Sequence, residues 1–214
     1  MESEKTLKQS HYILDWKSFT IHTPLENVTA SHELRRPTAE QEVQLITALM
    51  EAADAGATDE AHARLFDEIS IKSAGYDGEV PREHKSAVIA GLYDRKVILH
   101  EIRRSGSIVV KEKFADFETV THELRLPQND ELKNFPSRAL QMAGHYDLLV
   151  KSVDGVKLRN GESPTLQECV WHLPLPVKLA VFNSYLKGIV EILKILPSSN
   201  KKPRKLRRKS KRRH

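Results

Sequence analysis

The sequence predicts an α+β protein of two tandem related modules, each made of short β segments followed by a helical body, with a disordered basic C-terminal tail. Three observations predict it. First, the chain repeats itself: His32-Glu33-Leu34-Arg35-Arg36-Pro37 returns as His122-Glu123-Leu124-Arg125-Leu126-Pro127, and Ile71-Lys72-Ser73 as Val150-Lys151-Ser152. The segment from Pro81 to Ile89 likewise finds a counterpart from Pro174 to Phe182, so the three matches keep their order at offsets of 90, 79 and 93 residues. Second, short segments of β character precede stretches with helical spacing. Third, charge is partitioned. The net charge is +5, yet residues 201–213 hold ten Lys or Arg and no acid, which leaves −5 for residues 1–200.

A length of 214 residues with a repeat near 90 divides naturally into two modules, each large enough for a modest core. The expected limits are 1–10 for a flexible N-terminus, 11–96 for module one, 97–196 for module two and 197–214 for the linker and tail. In module one, Tyr12-Ile13-Leu14 and Phe19-Thr20-Ile21 read as strands. Thr38 and Gln41 form a capping box that opens a helix, in which hydroxyl and amide satisfy free backbone N–H groups reciprocally. Val43, Ile46, Leu49, Met50 and Ala53 give its apolar stripe, with Glu42, Gln44 and Glu51 off it. Gly56 is expected to end this helix and Thr58 or Asp59 to start the next, through Leu65, Phe66 and Ile69. Gly75 and Gly78 bracket a turn, and Pro81 leads into a helix whose apolar side is Val88, Ile89, Leu92 and Tyr93.

Module two opens on a β-hairpin, Val97 to Ile102 and Ile108 to Val110 around Arg104-Ser105-Gly106-Ser107. The falling offset makes its first helical region shorter, and Pro136 interrupts it. The rising offset marks an insertion from about Val156 to Glu168, with turn signals at Asn160-Gly161 and Ser163-Pro164. The closing helix runs from about Pro176 to Leu196. Val177, Val181, Phe182, Tyr185, Leu186, Ile189, Val190 and Leu193 form its apolar face, and Ser184, Lys187, Glu191 and Lys194 its polar face. Those charges argue against a membrane span, which needs about 20 predominantly apolar residues.

Chemistry is sparse. A single cysteine, Cys169, excludes an internal disulfide, and the charged start Met1-Glu2-Ser3-Glu4-Lys5 does not resemble a secretory signal. The expected location is cytoplasmic, with nuclear-type targeting by the tail as a further option. Cys169 and His172, oriented by His145 or Glu168, could suggest a thiol nucleophile. A lone cysteine beside Val170 and Trp171 is better read as a small core residue. Ten histidines invite a metal, but none falls in a His-Glu-x-x-His or paired-cysteine pattern. The repeated His32-Glu33 and His122-Glu123 are instead expected to cap or orient the backbone before a helix. Scattered glycines leave no phosphate-binding loop. No catalytic residue, metal or cofactor is therefore assigned.

Two features point to binding. Glu33 with Arg35, and Glu123 with Arg125, fall two apart on one side of a strand, either as a recurring partner contact or as a solvated face. Lys85 and Lys178, at matching helix starts, read as surface charges. The tail cations Lys201, Lys202, Arg204, Lys205, Arg207, Arg208, Lys209, Lys211, Arg212 and Arg213 repel one another and have little to bury. Such a segment gains affinity for a polyanion by releasing condensed counterions, without reading sequence. The tail holds no aromatic side chain for base stacking.

Short β segments followed by Glu33-Leu34-Arg35-Arg36-Pro37-Thr38, echoed at Glu123-Leu124-Arg125-Leu126-Pro127-Gln128, resemble tailed-phage structural accessory proteins, especially tail-assembly chaperones. The resemblance implies a non-enzymatic protein that binds another structural protein during assembly. The expected function is thus an assembly accessory protein with a protein partner and a polyanion-binding tail. The alternative is a nucleic-acid-binding protein whose folded body also contributes recognition.

Overall fold

A computed structural model of the chain describes residues 11–24, 29–114, 117–128, 131 and 139–195. The expected flexible N-terminus (1–10), Pro136, and the linker and basic tail (197–214) lie outside the described residues. The described chain is a mixed α+β fold. Its first half contains β1 (Tyr12–Ile13), β2 (Ser18–Pro24), β3 (Thr29–Arg35), α1 (Ala39–Glu51), α2 (Ala55–Ile69), β4 (Ser70–Ala74) and α3 (Arg82–Tyr93). The second contains β5 (Lys96–Arg103), β6 (Ser107–Lys113), β7 (Val120–Arg125), α4 (Ala139–Leu149), β8 (Val150–Asp154), β9 (Val156–Lys157), α5 (Leu166–His172) and α6 (Leu175–Ile195). β2-β3-β4 and β5-β6-β7-β8 are separate antiparallel sheets, and β1 pairs in parallel with β9.

The two sheets share a register. On β3, His32 lies opposite Ser73 and Leu34 opposite Ser70, with a bulge between Glu33 and Leu34. On β7, His122 lies opposite Val153 and Leu124 opposite Val150, with a bulge between Glu123 and Leu124. The strand pairing thus equates Ser73 with Val153, one residue beyond the Ser152 that sequence similarity aligns. Both strands alternate inward and outward side chains, and His32, Leu34, His122 and Leu124 are fully buried. Behind the first sheet α3 packs on α2 and β2; behind the second α6 packs on α4, β5 and β6.

The capping box at Thr38 and Gln41 forms as the spacing predicts, and a second one forms at Thr165 and Glu168. Other local expectations shift. α1 buries Glu42 and Leu45 rather than the Val43–Met50 stripe, and Met50 is 64 % exposed. The reason is polar: the Glu42 carboxylate accepts hydrogen bonds from the Leu175 N–H and the Tyr93 hydroxyl, so a charged residue can face inward. α2 begins before Gly56, because the Asp54 side chain accepts from the Ala57 N–H and caps the helix there. The hairpin forms as β5 and β6. On α6, Val177, Val181, Phe182, Tyr185 and Ile189 face inward as expected, while Ser184 is buried with them and Val190 and Leu193 are exposed. Among the described residues no helix is long and apolar enough to cross a membrane.

Candidate functional site

The polar side chains at corresponding places in the two sheets make corresponding contacts. The Arg35 guanidinium donates to Arg36 O, to Gln41 Oε1 at 3.2 Å and to Glu68 O, near the end of α2, at 3.0 Å. Arg125 donates to Leu126 O, to the Glu131 carboxylate at 2.7 and 2.8 Å, and to Leu148 O, near the end of α4, at 3.5 Å. Each arginine ties the end of its strand to the C-terminus of a helix, where unpaired carbonyls favour a cation. The Arg125 guanidinium and the Gln128 N–H hold the Glu131 carboxyl down at about 2.

Lys85 and Lys178 are not surface charges. Lys85 is 8 % exposed and reaches Asp67 of α2 at 2.8 Å and Glu79 at 3.0 Å, contacts that hold its pKa up. Lys178 reaches Asp147 of α4 at 2.8 Å. Both aspartates stand two residues before the last residue of their helices, so in each half a lysine from a later helix (α3 in the first, α6 in the second) closes on the same place. Burial raises the Asp147 pKa against the opposing effect of Lys178.

The two buried histidines differ in their company. His32 Nδ1 lies 3.0 Å from Ser73 Oγ and Nε2 lies 3.3 Å from the Tyr76 hydroxyl, with the Phe66 ring edge-on. Burial, and then the nearby His84, lower its pKa. His122 Nδ1 lies 2.9 Å from the Tyr146 hydroxyl and Nε2 lies 3.0 Å from Glu112. A carboxylate only accepts, so Nε2 is the nitrogen that donates to Glu112. Glu112 is also paired with Arg95, whose guanidinium lies 4.5 Å from the Tyr12 ring centroid and 4.2 Å from that of Phe114. Burial would raise the Glu112 pKa, but His122 and Arg95 together hold it below the usual carboxylate range. This chain is closed off: His122 and Glu112 are 0 % and 1 % exposed. It can fix a geometry, and it offers no open position to a substrate.

One accessible feature is a groove of about 570 Å³ where the two halves meet, lined by Trp16, Arg36, Glu42, Arg159, Trp171 and Lys178 among others. Arg36 crosses it, donating to Leu14 O at 2.9 Å and to the His172 carbonyl. Asp15 accepts from Arg159 through both N–H and guanidinium; burial opposes ionisation there, but these bonds win and lower the Asp15 pKa. Burial raises the Glu42 pKa more than Leu175 N–H and Arg36 lower it. Trp171 stands at the margin with 79 % of its surface exposed.

Of the expected contact residues, Glu33 lies opposite Thr20 and Lys72 in the first sheet. Glu123 is ion-paired with Arg103 and, at 2.9 Å, with Lys151 in the second. Arg35 and Arg125 make the contacts described above. The ten tail cations, from Lys201 to Arg213, lie outside the described residues. Cys169 is buried, and its thiol is pushed up to about 11 by burial, then by Glu168 and Asp154. A thiol so far from ionised at neutral pH is a poor nucleophile. Glu168 is spent on the Thr165 cap, His172 faces Arg36 at 3.4 Å, and His145 bonds Gln141 O at 2.9 Å. Among the described residues no three His, Cys, Asp or Glu side chains gather so as to hold a metal ion.

Sequence reasoning missed Arg36, Glu42, Arg95, Glu112, Asp67 and Asp147. Glu112 left a signal, since it follows Ile108 and Val110 at the period of a strand's inward face. The others meet their partners only through the fold. No family model matches the chain, and no curated protein or solved structure matches it.

Proposed function

We propose that the chain is a non-enzymatic accessory protein, built from two copies of one module, that acts by contacting a protein partner. Its tail at residues 201–213 adds sequence-blind attraction to polyanions. The observation that carries the reading is the matched set Arg35 and Arg125, Lys85–Asp67 and Lys178–Asp147, and His32 and His122. A shared register, a shared bulge and shared helix-end contacts support duplication more strongly than the short sequence matches do. In both halves these charged side chains serve internal contacts; the groove with Trp171, the most exposed large apolar side chain among the described residues, is the surface we assign to a partner. The resemblance of Glu33–Thr38 to tail-assembly chaperones supports a structural protein as that partner.

The test is fluorescence anisotropy with a short DNA duplex across a salt series, comparing the full chain with one ending at Ser199. Ten cations on phosphates would give a slope of log K against log salt approaching about −9. The expected result is a steep slope for the full chain and a loss of affinity of at least about 100-fold on truncation. A truncated body that binds within about tenfold of the full chain would overturn the accessory reading and make the modules themselves the nucleic-acid-binding part.

A further inference from the structure

From the β5–β6 hairpin we infer a second phosphate-contacting surface, formed by Lys96, Lys111 and Lys113, which meets the backbone of a nucleic-acid duplex alongside the tail. The inference rests on the polyanion reading of the tail.

Between Arg95 and Lys113 the chain carries six Lys or Arg against two Glu, within a body of net charge −5 once the tail is set aside. The strand register sorts these charges by face. Lys96 lies directly opposite Lys113, and Ile98 directly opposite Lys111. Ile108, Val110 and Glu112 of β6 share one face; on the other, Ser107 and Val109 are also buried, Lys111 is half-buried and Lys113 is exposed, so the cationic end of that face is where it opens. The three lysines surround a concavity of about 170 Å³ together with Ile98, which is 47 % exposed, Thr119 and Glu112, whose carboxylate is turned to Arg95 and His122.

The acids nearby are engaged elsewhere. Glu112 faces inward to Arg95 and His122, Glu101 pairs with Arg103, and Glu118 pairs with His11 at 3.1 Å. Among the described residues none of the three lysines makes an ion pair. Like charges directly opposite on neighbouring strands destabilise a sheet. A bound phosphate offsets that cost.

The competing explanation is that lysines guard an exposed sheet edge against pairing with another chain. It covers Lys96, because β5 is the edge strand. It does not cover Lys111, which stands on β6 between Ile98 of β5 and Thr121 of β7, while Lys113 continues the same face beyond the last β7 pair. On one face of a strand they are about 6.6 Å apart. That is a row of cations, suited to a line of phosphates and indifferent to base identity.

The experiment compares three full-length proteins: the wild type, K96Q/K111Q/K113Q, and a control of equal charge change, R64Q/K72Q/R82Q, whose residues are exposed in the first half. Glutamine keeps the edge polar and the chain soluble. Binding to a labelled DNA duplex is followed by anisotropy from about 50 to about 200 mM salt. Unfolding midpoints confirm that both variants fold. If the hairpin contacts phosphates, its variant loses about 2–3 units of salt slope while the control loses less than about 1. Equal losses in the two variants, or none in the hairpin variant, overturn the surface and leave the tail reading standing. A wild type that fails to bind at the lowest salt overturns the tail reading and this one with it.

Discussion

Arg95 shows what a buried charge demands of its neighbours. Its side chain is 3 % exposed, it pairs with a glutamate that is 1 % exposed, and two aromatic faces cover it. Taking such a pair out of water is expensive, and removing one partner leaves the other charged and stranded. Arg95→Ala is therefore expected to lower stability by about 3–5 kcal/mol in urea denaturation, because Glu112 keeps only His122 as a partner. Arg103→Ala, at a half-exposed ion pair on the outer face of the same sheet, is expected to cost less than about 1 kcal/mol. Equal costs would show that burial does not set the scale of these pairs. Half of this arrangement was legible in the chain. The alternation Ile108, Val110, Glu112 places the carboxylate on the inward face, whereas Arg95 follows the end of α3 in a segment with no periodicity to read. Lys85 and Lys178 were misread for a similar reason. A lysine at a helix start is usually solvated, and only the packing of one helix on another brings Asp67 and Asp147 to them.

At the level of elements, what the sequence predicted well was local chemistry. A hydroxyl followed three residues later by an amide marks α1, and a glycine turn between β-rich runs marks the β5–β6 hairpin; the same kind of box at Thr165 and Glu168 opens α5 where only an insertion was expected. Boundaries set by competition were harder. Gly56 looked like a helix end, but Asp54 captures the Ala57 N–H and carries the helix through the glycine. The turn from β8 to β9 hides a constraint that composition cannot reveal. Gly155 has φ +87°, and a Cβ built there would lie 2.5 Å from the Thr119 carbonyl oxygen. Gly161 has φ +83°, with open space around the same position. Both disfavour a side chain through backbone strain of about 1–2 kcal/mol. Gly155→Ala must also push the backbone of the neighbouring strand aside, which close-packed structure resists. The expected outcome is a clearly lower thermal midpoint for Gly155→Ala than for Gly161→Ala. Matching midpoints would mean that β9 can move away from Thr119 at no cost.

For the whole molecule, the two halves of the chain need not be two units in stability. A single apolar cluster includes Leu34, Phe66 and Val88 from the first half and Ile108, Tyr146 and Val181 from the second. β1 pairs across the chain with β9, the Arg36 guanidinium reaches the His172 carbonyl, and the Leu175 N–H donates to Glu42. These contacts join residues more than 130 positions apart, beyond the reach of any local pattern. Units joined by a small polar interface can unfold separately; units that share a core do so together. The two tryptophans provide the test, since Trp16 and Trp171 both line the groove where the halves meet. Tryptophan fluorescence therefore reports the junction, while far-UV circular dichroism reports helices in both halves. In urea the two signals are expected to fall in one coincident transition. A fluorescence change that precedes the loss of helix would show that the junction opens first, and that the groove beside Trp171 is a hinge between independently stable modules.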